Sequence, residues 1–283
     1  MKINIVYNKA FPFDLGGGER RLFAVAKTFA QNGHEVKWLC SLPATLGNYV
    51  YEDGIEYVSV SRSITKSSAR RALKDEFLFA LNILKYSNKI DGDIVFVGQT
   101  PWLHFFSILF IRLIRRKRFR VALDLWEYWG SYWFKYYAPI VASIGFVLEK
   151  IAIFLSTETI VISEFGERKV REGFPNKKNL ILIPNGFDDE ILTLPQLKRK
   201  KNKIVYFGRL EPHKNVEILI RTIAMIKQKY EEVELEILGA GSDFERLSDL
   251  VKNLQLQGFV KITGKYLASV DAFKIMKASS VFV

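Results

Sequence analysis

Cysteine occurs once in the 283 residues, at Cys40, so no internal disulfide framework holds the chain together, and a reducing compartment suits it. Acids are in deficit. Asp and Glu number 30 against 42 Lys and Arg, a formal charge of +12 that favours anionic partners: phosphorylated small molecules, acidic lipid or nucleic acid. Long hydrophobic runs are missing as well. Residues 105–114 form a short apolar stretch that carries Arg112, and residues 138–155 are interrupted by Glu149 and Lys150, so neither reads as a bilayer span. The opening MKINIVY is too short and too polar for a signal peptide and reads as a first strand. The expectation is a cytoplasmic chain, with peripheral contact to the cytoplasmic face of an anionic membrane left open.

What is present describes a folded protein. Apolar residues make up 49% and charged residues 25% of a length that suits two domains, each able to bury its own core. Apolar runs at 3–7, 35–40, 55–60, 94–97, 120–123, 159–162 and 180–183 read as strands. Helical stretches at 18–32, 68–87, 102–115 and 138–155 separate them, the alternation of an α/β doubly wound sheet that binds ligands at the carboxyl ends of its strands. The pattern lapses at Pro195 and the run Lys198-Arg199-Lys200-Lys201, then restarts. Strands are predicted at 204–207, 233–238, 260–263 and 281–283, and helices at 215–229, 242–254 and 269–277. The organisation is thus a first Rossmann-like domain at 1–188, a linker at 189–203 and a second Rossmann-like domain at 204–283. A final strand without its closing helix suggests that the second domain is incomplete.

Three glycine turns and three histidines bear on function. In YFGRLEPHKN, residues 206–215, Gly208 ends an apolar strand, and Arg209 and Lys214 follow at the mouth of a helix, whose end is already positive. Two permanent cations there repel that end unless an anion sits between them, and a diphosphate fits. A surface turn with two solvated cations is the competing reading. His213 lies inside the turn and adds a donor when protonated. Gly16, Gly17 and Gly18 occupy the equivalent turn of the first domain, where they permit close approach of a ligand or simply a flexible loop. Gly239-Ala240-Gly241 follows a strand, but Phe244 stands where a nicotinamide fingerprint has its third glycine, which argues against a dehydrogenase. His34 reads as a structural turn residue, and His104 as either a helix start or a cleft residue.

These residues carry a family resemblance. Gly17-Gly18-Glu19, Asn32-Gly33-His34-Glu35-Val36, Ile183-Pro184-Asn185-Gly186-Phe187-Asp188, Gly208-Arg209-Leu210 with Lys214-Asn215, Leu238-Gly239-Ala240-Gly241 and the stretch 260–264 stand in the order and rough spacing of the group 1 glycosyltransferases. The resemblance implies the GT-B fold, two Rossmann-like domains facing a cleft, with a nucleotide-diphosphate sugar held mainly by the second and the acceptor mainly by the first. It implies transfer of a hexose-type sugar to a glycan or lipid-linked acceptor with retention of anomeric configuration. Arg209 and Lys214 match the pair that binds the donor diphosphate, with Gly16 and Gly17 opposite. Further cleft candidates are Gly208, Asn185, His104, Gly239, Gly264 and Lys265. No cofactor is implied beyond the donor substrate, and no metal is required.

The chain departs from that pattern twice. It stops before the family's pair of glutamates eight positions apart, which implies C-terminal truncation and leaves a catalytically silent domain that binds nucleotide or a partner as the alternative function. Where many members have a histidine after the strand at 120–123, it reads Asp124-Leu125-Trp126-Glu127, so a catalytic role falls to Asp124 or Glu127 or is absent. Asp124 is also open to a structural reading, as a cap or turn residue. Eight aromatics between 126 and 137 follow a basic run from Arg112 to Arg120, an interfacial device on one reading and core plus a solvated helix end on the other. No nucleic-acid module is recognisable.

Overall fold

The computed structural model describes all residues except Leu15, 64–72, 100–101, 117, 187–192, 196, 266 and 268. The chain divides into two compact units, Met1–Gly186 and Phe187–Val283.

In the first unit β1 (Lys2–Val6) lies between β2 (Glu35–Pro43) and β5 (Ile94–Gly98), parallel to both. Its Ile3, Ile5 and Val6 are fully buried, the unbroken apolar run expected of a parallel strand covered on both faces. Outward on one side follow β4 (Ile55–Ser63) and β3 (Tyr49–Glu52), and on the other β6 (Arg120–Leu125), β7 (Glu158–Val161) and β8 (Leu180–Leu182). Among the described strands only β3 runs antiparallel, against β4. The order β3-β4-β2-β1-β5-β6-β7-β8 grows away from β1 in one direction and from β5 in the other, which opens a crevice at the carboxyl ends of that pair.

Helices cover both faces. Leu22 and Ala26 of α1 (Gly17–Gln31) join one core with Ile3, Phe96 and Ile160. On the other face α2 (Leu73–Lys85), α3 (Leu103–Ile114), α5 (Pro139–Leu155) and α6 (Glu164–Gly173) contribute Phe79, Ile108, Ile153 and Val170 to a second core. The short α4 (Trp133–Tyr136) precedes α5. Of the predicted helix at 68–87, the part before Leu73 falls outside the described residues. Strand β3 and helix α6 have no counterpart in the sequence reading. Ser163 caps α6 by accepting from Gly166 N at 3.1 Å, a serine signal that a short, highly charged segment obscured.

Among its described residues the second unit has four parallel strands in the order β11-β10-β9-β12: β9 (Lys200–Phe207), β10 (Glu234–Leu238), β11 (Val260–Ile262) and β12 (Ser279–Phe282). Helices α7 (Glu217–Ile226) and α8 (Phe244–Asn253) bury Ile220, Ile223, Leu247 and Val251 on one face. Ala272 of α9 (Ser269–Lys277) packs with Val205 and Leu238 on the other. Lys200 pairs with Ser279, so the strand reaches back into the basic run that the sequence reading places in a linker. Here the chain builds from β9 to β10 and β11, then returns past β9 to β12. The switch point of this sheet is therefore at the carboxyl ends of β9 and β12.

Candidate active site

Gly208, Arg209 and Lys214 follow β9 at that switch point. The helix does not begin where periodicity suggests: a 3-10 turn at Pro212–Lys214 comes first, Asn215 adopts a left-handed conformation with φ 52°, and α7 starts two residues later. Asn is among the few residues that tolerate this conformation. Arg209 and Lys214 are exposed, and neither makes an ion pair with a described residue. The backbone beneath them is fixed. Tyr206 donates its hydroxyl to Arg209 O at 3.2 Å, and burial raises that hydroxyl's pKa, which keeps it a donor, against the lowering influence of Arg209. Gly208 N donates to Leu238 O at 3.0 Å, Leu210 N to Ala240 O at 3.0 Å, and Asp243 N to Leu210 O at 2.9 Å.

The glycines after β10 are explained by this contact. A Cβ on Gly239, whose φ is 154°, would lie 1.9 Å from Gly208 O, and one on Gly241 would lie 2.1 Å from Leu210 O. Side chains are excluded because two turns press together, which is why the residues resemble a dinucleotide fingerprint and fail its spacing. Gly264, at φ 65°, faces the Phe244 ring at 2.6 Å from an added Cβ, and Lys265 is exposed beside it. Arg246 forks onto Asp243 and also bonds Glu217, tying the starts of α7 and α8. Ser242 donates to Glu211 at 2.7 Å.

In the first unit the predicted residues separate. Asp124, at the end of β6, is buried, and Arg21 of α1 grips it: Nε lies 3.1 and 3.0 Å from its two oxygens, and a terminal nitrogen 3.0 Å from one. Trp126 donates its indole to the other oxygen at 2.7 Å. The remaining arm of Arg21 reaches Pro184 O at 3.3 Å and Asn185 Oδ1 at 3.0 Å. One guanidinium thus gathers the ends of β6 and β8 against α1. Arg21 is not among the residues singled out from the sequence, although a carboxylate closing an apolar strand is itself a signal that a permanent cation lies near.

Glu127 is exposed, and its carboxylate accepts from the Trp129 indole at 3.0 Å. Its backbone is held to the end of β5 by Gln99, which accepts from Glu127 N at 2.7 Å and donates to Glu127 O. His104 is a helix-start residue, buried in α3, with Nε2 donating to Gly98 O at 2.9 Å. His34 packs its ring on Phe29. Among the glycines, an added Cβ on Gly16 would meet the Glu19 carboxylate at 2.0 Å and one on Gly18 the Trp126 ring at 2.2 Å, whereas Gly17 faces open space. Asp188 lies outside the described residues.

Two Rossmann-like α/β units, the second with two exposed cations at its switch point that make no ion pair with a described residue, define a class of α/β proteins whose ligand sites lie at the carboxyl ends of their strands. Comparison with known proteins makes the class specific. Residues 15–191 match the family described as Glycosyltransferase Family 4, and residues 189–283 match Glycosyl transferases group 1. The chain belongs to the group 1 glycosyltransferase family. It is 30% identical over 137 residues to an uncharacterized glycosyltransferase of Methanocaldococcus jannaschii, covering 44% of this chain and 32% of that one. It is 22% identical over 247 residues to an uncharacterized glycosyltransferase of Haemophilus influenzae, covering 87% and 64%. The chain spans less than two thirds of the length of these curated relatives.

The fold is GT-B. Sucrose-phosphate synthase from Thermosynechococcus elongatus superimposes with TM-score 0.76 at 16% identity over 99% of this chain and 74% of that one. The catalytic domain of Arabidopsis thaliana starch synthase IV, bound to ADP and acarbose, gives 0.65 at 16% over 99% and 77%. The pneumococcal O-GlcNAc transferase in complex with UDP and GlcNAc gives 0.62 at 11% over 100% and 78%. Among the described residues no helix is long and apolar enough to cross a membrane.

Proposed function

We propose that the chain carries the donor site of a glycosyltransferase that moves a hexose-type sugar from a nucleoside-diphosphate donor to a glycan or lipid-linked acceptor with retention of configuration. The observation that carries this reading is the pair Arg209 and Lys214, exposed and without ion-pair partners among the described residues, on a turn whose backbone is fixed at four points. Cations held in place stabilise a diphosphate most as the sugar–oxygen bond breaks and its negative charge rises, so their effect falls on the transition state. Arg209 offers a planar fork to the phosphate oxygens and Lys214 a mobile point charge. This reading needs no metal.

The first unit's geometry supports a share in the same reading. Asp124 has both oxygens engaged by Arg21 and Trp126, which supports a positioning role rather than direct contact with the sugar. Glu127 is the acid of this turn that reaches solvent, and Gly17 is the residue of the triple glycine that leaves room for a ligand. Family membership and the bound UDP and ADP of the structural neighbours support a nucleoside diphosphate as the donor's handle. Calorimetry with UDP and ADP tests it. Arg209→Ala with Lys214→Ala should weaken binding by more than about 2 kcal/mol, since charge-assisted contacts are worth roughly 1.5 to 3 kcal/mol each, and chelation of divalent ions should leave wild-type affinity unchanged. Equal affinity in the double variant defeats the assignment.

A further inference from the structure

Helix α5 is hydrophobic on both sides. Its buried side carries Ala142, Gly145, Glu149, Ala152 and Ile153, and its outer side carries Ile140, Ile144, Val147, Ile151 and Phe154, a stripe at helical spacing. Ile140 is 77% exposed and Phe154 72% exposed. An ordinary surface helix has charges there. The sole acid in α5, Glu149, is buried, and α3 contains no acid.

The neighbouring helices extend this face. Helix α2 packs along α3, and α2, α3 and α5 share one core layer on the same side of the sheet. Phe110, Leu113 and Ile114 are exposed on α3, and Phe77 and Leu81 on α2. All three helices thus turn large apolar side chains outward. Isolated exposed apolar residues are normal on a soluble protein, but a contiguous field of them marks an interaction surface.

The edge of that field is basic. Where the ends of α3 and α5 meet, a pocket of about 670 Å³ is lined by Leu109, Leu113 and Leu155 together with Arg112, Arg116, Arg118 and Arg120. Arg120 is paired with Glu158, and Arg112 donates to Thr157 Oγ1 at 3.2 Å. Arg116 and Arg118 make no ion pair with a described residue. A second copy of the chain is a poor occupant, because a two-fold contact through this face sets the arginine rim against itself. An aqueous anion alone leaves the isoleucine stripe unexplained. A bilayer with acidic headgroups supplies both halves, acyl chains for the helices and phosphates for the arginines.

We propose that the outer face of α2, α3 and α5 docks on an anionic lipid surface, with the pocket at Arg112, Arg116, Arg118 and Arg120 taking a lipid phosphate. The inference is independent of the donor-site reading. It is tested by co-sedimenting the purified chain with phosphatidylcholine vesicles with or without about 30% phosphatidylglycerol. Partition onto the acidic vesicles should exceed that onto the neutral ones about tenfold, and Ile140→Glu with Ile144→Glu, or Arg116→Glu with Arg118→Glu, should each lower it about tenfold with unchanged melting. Hydrogen exchange on wild-type protein needs no variant, and vesicles should slow exchange in α3 and α5. Failure to bind acidic vesicles overturns the proposal. So does full binding by the isoleucine pair, which reports only the attraction of a basic chain for an acidic surface. Self-association that the isoleucine pair abolishes, without vesicle binding, overturns it in favour of a subunit interface, and protection confined to other elements overturns it as well.

Discussion

Arg21 and Asp124 form a buried fork, with 7% and 1% of their side chains exposed, that joins the first helix of the chain to the end of β6. A buried pair contributes little net stability over an apolar pair, yet losing one partner strands the other charge. Asp124→Ala should therefore destabilise the first unit by about 3 to 5 kcal/mol, and Arg21→Ala by a similar amount. Urea unfolding of both single variants and the double variant checks it. The double variant should lose much less than the sum, and simple additivity contradicts the coupling.

Gly17 and Gly18 are adjacent yet should respond in opposite ways. Gly18→Ala puts a methyl into the Trp126 ring and should cost about 1 to 3 kcal/mol, with a change in tryptophan emission as the ring moves off Asp124. Gly17→Ala meets nothing within 4 Å and should leave stability unchanged or raise it by up to about 1 kcal/mol. If Gly17 lies against the donor, the same variant weakens nucleotide binding without loss of stability.

Gly241→Ala should act at a distance. An added methyl meets the Leu210 carbonyl, a backbone atom with nowhere to go, and must push the turn carrying Arg209 away from α8. Unfolding by urea should show a loss of about 1 to 3 kcal/mol in the second unit, with nucleotide affinity falling in parallel.

Glu149 should give the stability of the first unit a distinctive pH dependence. Burial raises its pKa above the ordinary 4.5, only partly offset by hydrogen bonds from Trp129 N at 2.9 Å, Gly130 N at 2.8 Å and the Trp133 indole. The native state then holds the proton more tightly than the unfolded chain. Its contribution to stability is greatest below 4.5 and is lost as pH rises through the raised value. Relative to Glu149→Gln, the wild type should lose stability across that interval, and parallel curves of urea midpoint against pH would contradict this.

Much of the fold is legible in the sequence because buried parallel strands are short, unbroken apolar runs. The strand at 3–7, the helix at 138–155 and the turn at Gly208 all appear where periodicity places them. Strand β3 escaped because its residues are mostly exposed and it pairs only at an edge, so burial leaves no alternation to read. The start of α7 escaped because Asn215 takes a backbone conformation that periodicity does not record. At the candidate site, the position of Arg209 and Lys214 just after β9 is a local feature and is legible as spacing. The link from Arg21 to Asp124 spans 103 residues, and the requirement for glycine at 239 and 241 arises from a neighbouring turn; both are tertiary facts that no local window contains.

The hydrogen bonds that carry the β9 and β10 ladder past the end of the sheet, through Leu210, Ala240 and Asp243, have a thermodynamic corollary. The segment bearing Arg209 and Lys214 gives up its backbone freedom when the protein folds, leaving little to surrender at ligand encounter. The amides of Leu210 and Asp243 should accordingly exchange with solvent about as slowly as those of the strands beneath them, with or without nucleotide.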